Sequence, residues 1–141
     1  MTAAPAVRPR MVAWLVTGAL FMEVLDGNIS ATALPHMALS FGVDALRLNV
    51  AMSAYLLALG MLIPVSGWIA DRLGPRRVFS CTIAGFTLTS LGCGLVGDLH
   101  AFVALRVLQG ASGALMVPVG RLLVLRQRPP QQRMAAMSNL V

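Results

Sequence analysis

The chain has 141 residues, of which 57% are hydrophobic and only 11% are charged, and its formal net charge is +6. Soluble domains carry about 25% charged residues, so this composition excludes an ordinary soluble domain and indicates lipid as the main solvent. The positive charge does not indicate nucleic-acid binding, because the arginines form short clusters beside apolar runs without a basic stripe or interleaved aromatic residues.

The first apolar run predicts a transmembrane helix over about residues 11–34, after a short basic tail of residues 1–10. A secretory signal peptide is the alternative, since the small residues at positions 31–33 resemble a cleavage site. Glu23 and Asp26 argue against a signal peptide, whose apolar core is shorter and uncharged. A second apolar run, interrupted by Pro64 and by glycines, predicts a second helix over about residues 50–70.

A polar, basic turn is predicted at residues 67–77, between the second and third helices. Its glycines allow backbone conformations that other residues avoid, and Pro75 lacks the N–H that would continue a preceding helix. Its three arginines and one aspartate favour a position in water at the membrane surface. Two further apolar runs predict helices over about residues 78–96 and 101–125, and the very short link makes them antiparallel neighbours. After a basic segment, residues 134–141 resemble the beginning of a fifth helix.

The distribution of arginine predicts the orientation of these helices. Short cytoplasmic loops retain positive charge, and short loops on the opposite side do not. Arginines precede the first helix and follow the second and the fourth, whereas the two opposite loops hold only Arg47. We therefore predict an integral protein of a bacterial-type inner membrane, with its N-terminus in the cytoplasm.

Three stretches resemble signatures of the major facilitator superfamily, in that family's order and spacing. The signature loop between helices two and three is matched by Gly67, Asp71, Arg72, Gly74, Arg76 and Arg77. The helix-one signature of the fourteen-helix drug:proton antiporter branch is matched by Leu25, Asp26, Ile29, Ala33, Leu34 and Pro35. The helix-four signature is matched by Arg106, Gln109, Gly110 and Gly113. The resemblance implies an all-α, polytopic bundle that contains the first four helices of this fold and the start of a fifth.

The resemblance also implies the N-terminal part of a secondary active transporter that exports hydrophobic, often cationic compounds against proton entry. Because the family fold needs twelve or fourteen helices, we expect a longer transporter and no transport by this chain alone. The expected partners are the lipid bilayer, a small-molecule substrate and the remaining helices. The resemblance implies protons as the coupling ion, and no other cofactor, metal or enzymatic activity is expected.

Three alternatives remain open from the sequence. The first is a self-contained four-helix multidrug transporter that acts as a dimer, because the length and an acid in helix one fit that class. The second is a sugar or metabolite carrier of the same superfamily. The third is a nontransporting membrane remnant with a packing or assembly role.

Glu23, Asp26 and Arg106 are the candidate proton-coupling residues. An Asp or Arg at the membrane centre costs about 2.5 to 3.5 kcal/mol on insertion scales, so these acids need a partner charge, a proton or a water-filled cavity. Arg106 is expected at a similar depth and is the candidate partner of Asp26. Glu23 and Asp26 share one helix face, which suits reversible proton binding. Alternatively, Asp26 and Arg106 form a purely structural pair and Glu23 faces water.

Two further signatures have competing interpretations. The resemblance implies that Asp71 and its neighbouring arginines lock a cytoplasmic gate, whereas they could instead cap the turn and set topology alone. Gly110, Gly113 and Ala114 have small-residue spacing on one helix, which predicts close packing against another helix.

Overall fold

The computed structural model describes residues 9–126. These residues form five helices, which are α1 (Pro9–Phe41), α2 (Ala45–Leu62), α3 (Ser66–Leu73), α4 (Pro75–Leu95) and α5 (Leu99–Arg126). No strand occurs within this range, so the predicted all-α class is confirmed. Three helices, α1, α4 and α5, are each long and apolar enough to cross a membrane, and α2 with α3 makes a bent fourth candidate. The predicted start of a fifth transmembrane helix, at residues 134–141, lies outside the described residues.

The first helix is longer than the predicted span of residues 11–34, because α1 continues through Pro35 to Phe41. Proline removes one backbone donor from the helix, but the other backbone groups of the segment still need partners. In lipid an unsatisfied backbone group costs several kcal/mol, so continuing the helix is favourable despite the proline. His36 therefore lies within α1.

The second predicted span, residues 50–70, is divided into α2 and α3, which bend by 61° at a short break. Pro64 lies in this break and cannot donate a backbone hydrogen bond. Two tight backbone bonds, from Val65 to Leu62 and from Ser66 to Ile63, keep the chain coiled through it. The hydroxyl of Ser66 also donates to the carbonyl of Ile63 at 2.6 Å. The second span is therefore a helix followed by a short, tilted helix.

The predicted turn at residues 67–77 is much shorter in the structure. Residues up to Leu73 continue α3, and α4 begins at Pro75 in its first helical position. Only Gly74 connects them, with a positive φ of 86° that favours glycine. Proline suits the first helical position because its missing N–H would have no partner there. The predicted tight turn thus narrows to Gly74, and the other residues of 67–77 belong to α3 and α4.

Helix α5 is the centre of the bundle, because it packs extensively against both α4 and α2 and also contacts α1 and α3. The link of residues 96–98 makes α4 and α5 antiparallel neighbours, and the carboxylate of Asp98 accepts a bond from the N–H of Ala101 at 3.1 Å. At one end of the bundle, α1, α3, α4 and α5 share an apolar core that includes Val16, Ala70 and Phe79. Toward the other end, the same face of α5 becomes polar.

Candidate functional site

The helix-four signature forms one face of α5. Its residues Arg106, Gln109, Gly110 and Gly113 recur at helical spacing, so their side chains share one side of the helix. All four are buried. The face turns toward α2 and α1, since a Cβ atom at Gly110 would contact α2 and one at Gly113 would contact both helices.

Arg106 makes the ion pair at the centre of this site. Its Nη1 donates to Oδ2 of Asp26 at 2.8 Å, and the two side chains are only 5% and 16% exposed. The same nitrogen donates to Oε1 of Gln109 at 2.9 Å, and Nη2 donates to the hydroxyl of Ser30. Asp26 and Ser30 lie four residues apart on α1, so one guanidinium joins two successive turns of α1 to α5.

Two aromatic rings complete the surroundings of the guanidinium. Its central carbon lies 5.9 Å from the ring centroid of Tyr55 on α2 and 5.4 Å from that of Phe102 on α5. The negative face of an aromatic ring attracts a cation at such distances, most strongly where water is excluded. Sequence reasoning missed both rings. The signal for Tyr55 was available, because it is the single tyrosine of the chain and it stands within an apolar run.

Glu23 lies beside the ion pair and does not join it. Its Oε2 is buried and has no hydrogen-bond partner within residues 9–126. Its Oε1 lies against the backbone of Gly113, where an added Cβ would be 3.2 Å away. Nε of Arg106 and Nε2 of Gln109 are likewise buried without a partner in that range. The site therefore contains one acceptor and two donors that are free to bind another polar group.

Gly110 allows α2 and α5 to approach each other closely. A Cβ atom at this position would lie 2.4 Å from the backbone carbonyl oxygen of Tyr55, a distance that atoms do not tolerate. At Gly113 an added Cβ would meet side-chain atoms of Tyr55 and Glu23 at 3.2 Å or more. The small-residue spacing on α5 thus coincides with a close helix contact that holds Tyr55 beside Arg106.

The residues of the loop signature, between the second and third predicted helices, lie at the opposite end of the bundle from Arg106. Asp71 on α3 accepts a hydrogen bond from Nη2 of Arg126 at the end of α5, at 3.1 Å, and both side chains are exposed. The guanidinium of Arg72 lies 4.8 Å from the ring centroid of Trp68. Arg76 and Arg77 are exposed on the first turn of α4. The signature residues therefore surround the ends of α3, α4 and α5 and are well separated along the helices from Arg106.

Several known proteins are similar to this chain. The family model of the Major Facilitator Superfamily matches residues 16–140. A relative from Cronobacter sakazakii, named as multidrug resistance protein MdtD, is 48% identical over 125 residues, which cover 89% of this chain and 26% of the relative. MdtD relatives from Salmonella newport and Salmonella typhi are each 47% identical over 125 residues, or 89% of this chain and 27% of their own length. No solved structure matches the chain.

The family match and the apolar helices together establish the class of protein. The matched region includes α2 to α5 completely and most of α1. The chain spans about a quarter of the length of the curated relatives that it matches. It is an integral membrane protein, and it belongs to the Major Facilitator Superfamily of transporters.

Proposed function

We propose that the chain is the N-terminal part of a proton-coupled exporter of hydrophobic, often cationic compounds. The names of the MdtD relatives support multidrug export. The arginine asymmetry supports an inner-membrane protein with a cytoplasmic N-terminus. The observation that carries proton coupling is the buried pair of Asp26 and Arg106, whose nearest atoms are 2.8 Å apart. Ionisable groups inside a membrane are expensive, and they mark proton and substrate pathways in transporters.

The proposed coupling follows from the charge balance at Asp26. While Asp26 is ionised, its carboxylate compensates the buried guanidinium of Arg106. A proton on Asp26 removes that negative charge, so among residues 9–126 Arg106 keeps only neutral partners, which are Ser30, Gln109 and two ring faces. The contact between α1 and α5 then becomes weaker than in the ionised state. Protonation can drive a conformational change only through such a difference between two states.

Glu23 is proposed to attract the cationic part of a substrate. Its half-buried carboxylate has one oxygen without a hydrogen-bond partner in residues 9–126. A bound cation or a proton would neutralise the negative charge of this carboxylate. The absence of a side chain at Gly113 allows the same carboxylate to lie against the backbone of α5, since an added Cβ would be 3.2 Å from its Oε1. Glu23 and Asp26 are three residues apart, so a substrate cation at Glu23 would lie near the proton on Asp26 and oppose it electrostatically. This repulsion would favour exchange of one cation for the other.

The experiment measures proton-driven efflux of a fluorescent lipophilic cation by the whole transporter in vesicles. Asp26→Asn should abolish efflux driven by a proton gradient, because the amide cannot exchange a proton. Glu23→Gln should be milder and should weaken export of cations by about tenfold, equivalent to about 1.4 kcal/mol, with less effect on neutral compounds.

The matched control is Asp44→Asn. Asp44 is exposed at the start of α2, where its side chain makes no capping hydrogen bond. This variant should retain the efflux of the unmodified transporter. Proton-driven efflux at the unmodified rate in Asp26→Asn would contradict the proposal.

A further inference from the structure

A second site is indicated by an apolar groove of about 780 Å³ between α3, α4 and α5. Leucines dominate its rim, and Leu73, Leu88 and Leu108 are each more than half exposed. The groove ends at two cations, Arg72 and Arg77. None of the residues of the Arg106 site lines it. Its volume is typical of ligand sites, which are clefts of about 300 to 1,000 Å³.

The hydroxyl groups in the groove are already used by the helices that carry them. Thr82, Thr89 and Ser112 each donate to a backbone carbonyl of their own helix, at 2.8, 2.8 and 3.0 Å. These donors are therefore not free for a polar ligand. The wall presents an apolar surface along α4 and α5, which suits a hydrocarbon chain rather than a sugar or a peptide.

The charged end of the groove suits an anion. Asp71 adjoins Arg72 in the sequence, but its carboxylate binds Arg126 at 3.1 Å. Within residues 9–126, neither Arg72 nor Arg77 forms a salt bridge with a carboxylate. Arg72 instead stacks over Trp68, an arrangement that holds its cation at one place. Two positive charges that have no acidic partner in the described part of the chain thus lie at one end of an apolar groove.

The length of the groove matches one leaflet of a bilayer. From Arg77 near the start of α4, the lining continues to Thr89, about 18 Å along the helix at a rise of about 1.5 Å per residue. Half of the hydrocarbon thickness is about 15 Å. An acyl chain whose headgroup binds at the arginines would therefore reach the bilayer centre within the groove.

We propose that this groove binds an anionic phospholipid, with the phosphate at Arg72 and Arg77 and one acyl chain along α4 and α5. Basic pockets between transmembrane helices on the cytoplasmic side bind anionic lipid headgroups in this way. The cytoplasmic leaflet as the source of the lipid rests on the orientation proposed above. The groove itself is separate from the proton-coupling site, so the two proposals fail independently.

The test uses fluorescence quenching of Trp68 in the 141-residue chain, with Trp14→Phe as the background so that only one tryptophan reports. The chain is placed in phosphatidylcholine vesicles that contain brominated phosphatidylglycerol or, separately, brominated phosphatidylcholine with the same acyl chains. Each basic residue at a membrane surface contributes a free energy that corresponds to about a fivefold preference for anionic lipid. Phosphatidylglycerol should therefore bind at least about fivefold more tightly than phosphatidylcholine.

Matched variants test whether the preference for phosphatidylglycerol arises at the two arginines of the groove. Arg72→Gln with Arg77→Gln should bring the two lipids close to equal affinity, whereas Arg76→Gln, in the same turn but outside the groove, should retain the preference. Ala111→Leu should reduce quenching by both lipids because it fills the groove, and Ala104→Leu, one helical turn beyond the residues that line the groove, should not. Circular dichroism of each variant verifies that the helices have formed.

Two results would overturn the proposal. Equal quenching by the two lipids in the unmodified chain would show that the groove does not select an anionic headgroup. An equal loss of preference in Arg76→Gln and in the double variant would assign the effect to general surface charge rather than to the groove.

Discussion

Arg106 organises the polar part of the bundle because its guanidinium has several donors in a rigid, planar arrangement and remains charged. One such group reaches Asp26 and Ser30 on α1 and Gln109 on α5 at the same time. A lysine would keep the charge but would offer a single compact ammonium, so it could not reproduce these contacts. The residue type at position 106 is therefore explained by geometry as well as by charge.

A prediction at the residue scale concerns Gly110, where the backbone of α2 comes closest to α5. Gly110→Ala should lower the free energy of unfolding by about 1 to 3 kcal/mol, since the new methyl group must push Tyr55 and the backbone of α2 away. Gly60→Ala on α2 is the matched control, because an added Cβ there meets nothing within 4 Å. Unfolding of the 141-residue chain in detergent, followed by circular dichroism, measures both changes. Equal stability of the two variants would contradict the close contact.

At the scale of helices, the second span is organised by Pro64 and Gly74. Pro64 lies at the 61° bend between α2 and α3, and Gly74, with its positive φ, separates α3 from α4. This geometry brings Asp71 to the end of α5, where it binds Arg126. The break and the turn together therefore position the signature residues of the loop on three helix ends.

Gly74 provides a prediction at this scale. Gly74→Ala should destabilise the chain by about 1 to 3 kcal/mol, because its φ of 86° is strained for a residue with a Cβ atom. Gly67→Ala, within α3 and in open space, should be neutral or slightly stabilising because alanine favours helix by up to about 1 kcal/mol. Thermal unfolding in detergent compares the two. An unchanged midpoint for Gly74→Ala would contradict the turn geometry.

The all-α class and the positions of the apolar runs could be predicted from the sequence, because long apolar runs separated by arginines specify membrane spans. The bounds of α1 and the division of the second span could not, since Pro35 and Pro64 are the same residue type with opposite outcomes. Helix α1 continues through one proline, whereas α2 ends before the other, and no local pattern in the sequence distinguishes the two positions. A charge partner for Asp26 could be inferred from the free-energy cost of an unpaired charge inside the membrane. The aromatic rings around Arg106 could not, because no local pattern links Tyr55 or Phe102 to it.

For the whole molecule, orientation in the membrane is the next prediction. The contact of Asp71 with Arg126 places the ends of α3 and α5 together, so these ends and the start of α4 share one membrane face. Single cysteines at positions 76 and 100, in a background without Cys81 and Cys93, report the two faces. An impermeant thiol reagent should label position 100 in intact cells and position 76 only after permeabilisation. Labelling of position 76 alone in intact cells would reverse the orientation.

The most direct test of the proton-coupling account is the release of protons when substrate binds to the whole purified transporter in weakly buffered detergent solution. The unmodified protein should release a proton on adding a lipophilic cation, because substrate near Glu23 disfavours the proton on Asp26. Asp26→Asn should bind the compound without releasing a proton, and the exposed control Asp44→Asn should release it normally. Full proton release from Asp26→Asn would contradict the account and would indicate Glu23 as the proton carrier.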